Sequence, residues 1–290
     1  MEKDQIIILE GRGIVSVAGE DAREFLQNIM SNNVDKVSSV RSIFSGIFTP
    51  QGKYLFEFFL IKSMNGYLLD CDNEITQDLI DCLLKYKLRS KIEIQNLSSN
   101  YVVGIINKEK FNNIQKSISS SNQTLIYRNS PCFMDPRSEN MGARILSNLE
   151  NLYLTIKKLN LKIIKEDVYL KNAHTIGIPV KGVKMLQDKL FGLEANFEEF
   201  NAIDFKKGCY VGQENTARMK LKNKLRRKIL PLESGIILEI DSEIKYGDKR
   251  IGKVLLSKPY PFALIKLFDP DIKEFNKKEL TCGNQKIKII

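Results

Sequence analysis

The sequence predicts an α+β protein that ends in a small all-β unit. Helix-spaced and strand-patterned segments alternate up to about Arg226, and beyond it short apolar runs are cut by Gly, Pro and Asp. A length of 290 residues with 43% hydrophobic residues is enough for a sizeable core in one large domain or two ordinary ones. The change of texture places the division near residue 220, giving expected domains 1–220 and 221–290.

Ala22, Phe25, Leu26, Ile29 and Met30 recur at helical spacing behind Gly19-Glu20-Asp21, so an amphipathic helix with acidic residues in its first turn is expected. Ile43 to Phe48 and Tyr54 to Ile61 flank Thr49-Pro50-Gln51-Gly52-Lys53, a hairpin pattern in which Pro and Gly supply the turn geometry. Tyr67 to Asp70 reads as a strand, Ile75 to Tyr86 as a helix, and Lys91 to Ile94 as a strand. Strands at Tyr101 to Ile106, Thr124 to Tyr127 and Ala143 to Leu146 then mix with helices at Lys108 to Ser117, Leu149 to Leu159 and Glu166 to Thr175. Ile236 to Ile240, Ile251 to Leu256, Phe262 to Phe268 and Lys286 to Ile290 read as strands of a small barrel or sandwich. The basic stretch Ala217 to Lys228 reads as the crossover into it.

Composition excludes several kinds of chemistry. His174 is the single histidine, which removes a Ser-His-Asp triad and a multi-histidine metal site. The five cysteines are odd in number, widely spaced and without a Cys-x-x-Cys pair, which argues against a disulfide framework or a zinc ribbon. The start is charged and the run Ile6 to Leu9 is too short for a signal peptide or a membrane helix, so a cytoplasmic location without membrane contact is expected. Lys and Arg total 45 against 35 Asp and Glu, a formal charge of +10 that suits an anionic partner.

One segment concentrates chemistry. In Lys206-Lys207-Gly208-Cys209-Tyr210-Val211-Gly212-Gln213-Glu214 two glycines bracket a cysteine and an aromatic, a composition suited to an exposed loop beside a ligand. Positive charge at Lys207 favours the thiolate of Cys209, the reactive form. The other four cysteines read as small buried hydrophobes, Cys82 on the apolar face of its helix.

The string Lys207-Gly208-Cys209-Tyr210-Val211-Gly212-Gln213-Glu214 resembles the signature of YgfZ-like proteins, relatives of the glycine-cleavage T-protein. Val17 to Gln27, Thr49 to Lys53, Asp135-Pro136-Arg137, Gly177-Ile178-Pro179 and Glu194-Ala195-Asn196-Phe197 occur in the order that family shows. The resemblance implies an aminomethyltransferase-type, folate-binding module of sheets and helices followed by a β-barrel. It further implies a tetrahydrofolate or other reduced folate, and iron–sulfur assembly or client proteins as partners, with indirect effects on tRNA modification. On its terms Cys209 is the functional thiol with Lys207 beside it, and Glu194, Tyr169, Arg12 and Tyr210 are the folate-binding candidates. A carboxylate suits the N–H edge of a pterin, and flat side chains and cations suit its rings and glutamate tail. Gly208, Gly212, Gln213, Glu214 and Arg218 support the motif. Lys171 to Thr175 departs from the Arg-Ile-Glu pattern of many relatives.

Two other readings compete. Kinship of fold suggests a tetrahydrofolate-dependent aminomethyl or one-carbon transferase, for which no acidic residue at the reacting carbon is identified; turnover is left open. The run Lys220 to Lys228 suggests an RNA-binding module, but its charges are not interleaved with stacking aromatics, and direct nucleic-acid binding is not expected.

Overall fold

The computed structural model describes residues 1–222 and 225–290. The chain falls into two compact units that interleave along the sequence. Residues 1–47, 56–169 and 199–211 make the first, and 48–55, 170–198 and 212–290 the second.

β1 (Gln5–Leu9) and β2 (Arg12–Ala18) precede α1 (Ala22–Ile29), and β3 (Ile43–Phe48), β4 (Tyr54–Ser63) and β5 (Gly66–Asp72) lead to α2 (Thr76–Lys87). β6 (Glu93–Asn96), β7 (Val102–Ile106), α3 (Lys108–Ser117), β8 (Thr124–Tyr127), β9 (Ser130–Met134), β10 (Ala143–Ser147), α4 (Leu149–Leu159), β11 (Lys162–Ile164) and α5 (Asp167–Thr175) follow. The strands form a five-stranded sheet, ordered β3-β4-β5-β2-β6, and a six-stranded one, ordered β11-β1-β7-β10-β9-β8.

Pattern explains the packing of the first unit. α1 buries Ala22, Phe25, Leu26 and Ile29, the residues whose spacing predicts it. α3 and α4 lay Phe111, Ile114 and Leu152 over Ile6, Ile106, Ala143 and Ile145 of the six-stranded sheet. Each of the phenylalanine, isoleucine and leucine side chains contributes about 1.5–3 kcal/mol by leaving water. β2 and β5 pair antiparallel with Arg12 opposite Asp72 and Ile14 opposite Asp70. That register makes Asp70 the diagonal neighbour of Arg12, within reach of a long side chain.

In the second unit α6 (Gln213–Leu221) precedes β12 (Arg227–Ser234), β13 (Glu243–Tyr246), β14 (Lys249–Leu256), β15 (Phe262–Lys266), α7 (Ile272–Phe275), β16 (Leu280–Cys282) and β17 (Gln285–Ile289). The strands close into a barrel, ordered β12-β15-β14-β13-β16-β17, around Leu232, Ile244, Ile251, Val254, Ile265, Phe275 and Ile287. Closure leaves no strand edge open to a stray chain.

The α+β class and the C-terminal barrel agree with the sequence, and several elements differ. β2, β9, β11, β12, β13 and β16 were not foreseen: their charged or punctuating residues mask the alternation that marks a strand. Ile236 to Ile240 is not a strand, because Ser234 Oγ donates to the Ile236 carbonyl at 2.8 Å and turns the chain after β12; Ile236 and Ile237 are exposed. The basic stretch is divided between α6 and β12, and its residues Asn223 and Lys224 lie outside the described residues.

Candidate functional site

The loop that carries Cys209 is built on the C-terminal end of α1. A helix leaves its last carbonyls without intrahelical partners, and Lys207 supplies them. Its Nζ donates to the carbonyls of Gln27 and Met30 at 2.6 Å each and of Asn32 at 3.0 Å, and it lies 4.9 Å from the centre of the Tyr210 ring. Burial draws the Lys207 pKa down to about 8, so at pH 7 the ammonium keeps one donor for each carbonyl. Val211 N–H donates to the Asn28 carbonyl at 3.2 Å and pins the other end of the loop to the same helix. Lys207 and Tyr210 are therefore buried struts, and the loop between them presents Gly208 and Cys209 to solvent.

Cys209 is the exposed thiol among the five cysteines. Cys71, Cys132 and Cys282 are buried, as expected, while Cys82 is half-buried; burial pushes the Cys71 thiol up to about 11 and raises the other three. A thiol held protonated in an apolar setting is inert. Reactivity in this chain thus concentrates at position 209.

The two glycines of the motif differ in role. No heavy atom stands within 4 Å of where a Cβ on Gly208 would be. Gly212 has φ +81° and a Cβ there would meet the Thr49 carbonyl oxygen at 2.4 Å, so the turn into α6 needs glycine. Gly212→Ala is expected to lower unfolding stability by roughly 1–3 kcal/mol in a urea titration, with Gly208→Ala near neutral as its control. Past the turn Gln213 is half-buried, and Glu214 and Arg218 are exposed on α6.

Arg12 and Tyr169 belong to a different constellation. Arg12 Nε donates to Asp70 Oδ1 at 2.6 Å, and Arg144 donates to Asp70 Oδ2 through Nη2 at 2.6 Å and Nε at 3.0 Å. Tyr169 Oη accepts from Arg144 Nη1 at 3.1 Å and from Arg137 Nη2 at 3.2 Å, and Arg137 is paired in turn with Asp135. The Arg144 and Arg137 guanidiniums lie 4.1 and 4.7 Å from the centre of the Phe59 ring. Asp70, Arg144, Asp135 and Arg137 are all buried, so this is a desolvated, mutually satisfied network. Sequence reasoning missed Arg144 and Asp70, although a lone charge inside the apolar strand Ala143 to Leu146 was a usable signal.

Glu194 lies in the second unit, in a loop locked by its own motif. Phe197 packs against Phe48 and Tyr54 with ring centres 5.3 and 5.7 Å away. The Glu194 carbonyl accepts Ile229 N–H at 2.8 Å, and Asn196 Nδ2 donates to the Ile229 carbonyl at 3.0 Å, which ties the loop to β12. The buried Glu194 carboxylate accepts Arg227 Nε at 2.9 Å on Oε1, and Phe191 N–H at 3.0 Å and Arg227 Nη2 at 3.4 Å on Oε2. It lines a cavity of about 780 Å³ with two phenylalanines, Phe191 and Phe268, three cations, Arg226, Arg227 and Lys266, and a second carboxylate, Asp269. A volume between about 300 and 1,000 Å³ is typical of small-molecule sites. Arg227 stands opposite Lys266 in the β12–β15 ladder, and Glu194 supplies the counter-charge that offsets their repulsion. Among the described residues no group of His, Cys, Asp or Glu is arranged to hold a metal ion.

The fold finds its match among solved structures. A glycine cleavage system aminomethyltransferase T from Bartonella henselae superposes with a TM-score of 0.73 over 99% of this chain and 84% of its own, at 12% identity. The chain has the aminomethyltransferase T fold. No family model matches it. Curated relatives include mitochondrial proteins named as iron–sulfur cluster assembly factor IBA57 or its homologues. The Dictyostelium discoideum protein is 28% identical over 79% of this chain and 62% of its own length, and the Mycosarcoma maydis protein 29% over 76% and 55%. That of Mus musculus is 26% identical over 78% and 65%. The chain thus spans less than two thirds of the length of these relatives.

One expectation is overturned here. The relatives are designated mitochondrial, which points away from the cytoplasm. Free cysteines and short apolar runs separate a reducing interior from the oxidising secretory route, but they do not tell one reducing compartment from another.

Proposed function

We propose that this chain is a folate-binding accessory protein of the YgfZ type that supports iron–sulfur cluster assembly or repair, and through it the enzymes, tRNA-modifying ones included, that depend on such clusters. The observation that carries the reading is the exposed Cys209, held on a braced loop in a chain similar to proteins named as iron–sulfur cluster assembly factors. A cluster is the cargo here. One thiolate is too few to hold it, so assembly or client proteins provide the other ligands.

The cavity supports the folate half of the proposal. A reduced folate joins a flat, donor-edged ring system to an anionic tail, and the lining offers both kinds of partner. Phe191 and Phe268 take the rings, Arg226 and Lys266 the tail carboxylates, and the buried Glu194 fixes the direction of Arg227. A bound reduced folate would supply one-carbon chemistry. The chain's own residues would orient it and exclude water from one side of its rings.

Calorimetry decides the matter. Titration of the chain with 5-formyltetrahydrofolate is expected to show saturable 1:1 binding that weakens as salt screens the cations. Absence of heat and of any thermal upshift at millimolar ligand would remove the cofactor from the account.

A further inference from the structure

A cluster shared between Cys209 and the ligands of another protein brings the surface of that protein onto the Cys209 loop. A standard interface covers roughly 800 Å² on each side, a patch of roughly 16 Å radius. Val211 is two residues from Cys209, no more than about 7 Å along the chain. Whatever lies beside Val211 therefore falls inside the footprint of the partner.

A groove of about 460 Å³ lies there, between α1 and the C-terminal end of α2. Buried Phe25 and Ile29 and half-buried Tyr86 and Val211 give it apolar walls. The bond from Val211 N–H to the Asn28 carbonyl, at 3.2 Å, fixes this wall to the same helix that carries the Cys209 loop. The charged lining is Asp21, Glu24 and Arg89, two carboxylates against one guanidinium on a chain whose formal charge is +10. Asp21 is held in place by the Lys91 N–H, which donates to its Oδ2 at 2.6 Å. An anionic spot on a cationic chain selects a partner surface of positive charge. An apolar hollow near the centre of an interface is where a bulky anchor side chain contributes most to binding.

We infer that the groove between α1 and α2 docks the protein that shares the cluster, which seats a bulky apolar side chain against Phe25, Ile29 and Tyr86 and sets a lysine or arginine against Asp21 and Glu24. This assignment rests on the iron–sulfur reading given above, and it adds where the partner is gripped and what its surface carries. Ligation and recognition fall to different residues. Cys209 supplies a ligand, and the groove supplies the hold.

Two substitutions on α1 test it in cells that lack the protein, at equal expression and with aconitase-type dehydratase activity as the readout. Glu24→Lys reverses a charge at the groove, and Asn28→Trp fills it. Both positions are exposed, so melting temperature should hold, and an unchanged rate of Cys209 alkylation by iodoacetamide shows that the thiol is intact. Each variant is expected to lower the rescued activity about tenfold, and Glu24→Gln less than Glu24→Lys. Full rescue by both variants while Cys209→Ala fails would overturn the groove assignment alone. Loss with Asn28→Trp but not with Glu24→Lys would mean an uncharged occupant and would overturn it too. So would a dimer of the unsubstituted chain, seen by sedimentation, that Asn28→Trp dissociates, because the occupant would then be a second copy. Should Cys209→Ala rescue fully, the iron–sulfur reading itself falls.

Discussion

Cys209→Ala is expected to abolish rescue of iron–sulfur enzyme activity in cells that lack the protein, with aconitase-type dehydratase activity as the readout. The folded chain should hardly notice the change. Cys209 is exposed, its thiol makes no hydrogen bond among the described residues, and the loop is held by Lys207, Tyr210 and Val211. Exposed substitutions of this kind shift stability by about 0.5 kcal/mol or less. Loss of function at unchanged melting temperature and unchanged folate affinity would isolate the thiol as the working group. Full rescue by the alanine variant would refute that role. Serine at the same position makes a further comparison, because it keeps the size and removes the thiolate.

Asp70→Ala carries the largest expected cost in stability. The carboxylate is shared by Arg12 and Arg144, and Arg144 is 1% exposed, so its removal leaves a buried guanidinium without a counter-charge. Breaking a buried pair in this way costs about 3–5 kcal/mol, a large fraction of the about 5–15 kcal/mol that holds a typical domain together. Urea unfolding should show the midpoint falling with an unchanged slope. The same network predicts an acid response. Burial alone would raise the Asp70 pKa, but Arg12 and Arg144 outweigh it and hold the group below its ordinary value of 3.8. A depressed carboxylate contributes stability that is fully present above the unfolded value and is lost as pH falls through the lower folded one. Unfolding free energy should therefore drop below about pH 4, and Asp70→Asn should flatten that drop.

Legibility in the sequence followed the range of the interactions. α1 was readable because Phe25, Leu26 and Ile29 repeat with the period of the helix itself. The Cys209 loop was readable because its glycines and charges are contiguous, although the carbonyls that Lys207 serves lie about 180 positions earlier and left no local mark. The cavity was hardly legible. Phe191, Asn215, Arg226 and Asp269 come from separate segments, and Arg226 was absorbed into a stretch read as a crossover. The strands β13 and β16 are short and carry lysine, glutamate or threonine on their outer positions, so closure of the barrel rather than alternation defines them.

The interleaving of the two units constrains how the protein can be dissected. A fragment begun at Arg227 retains every barrel strand and so has a route to folding by itself, but it discards Phe191, Glu194, Asn215, Met219 and Arg226. Half a socket would remain. Such a truncation makes a fair control for specificity and a misleading proxy for affinity, and weak binding by it would say nothing about the intact chain.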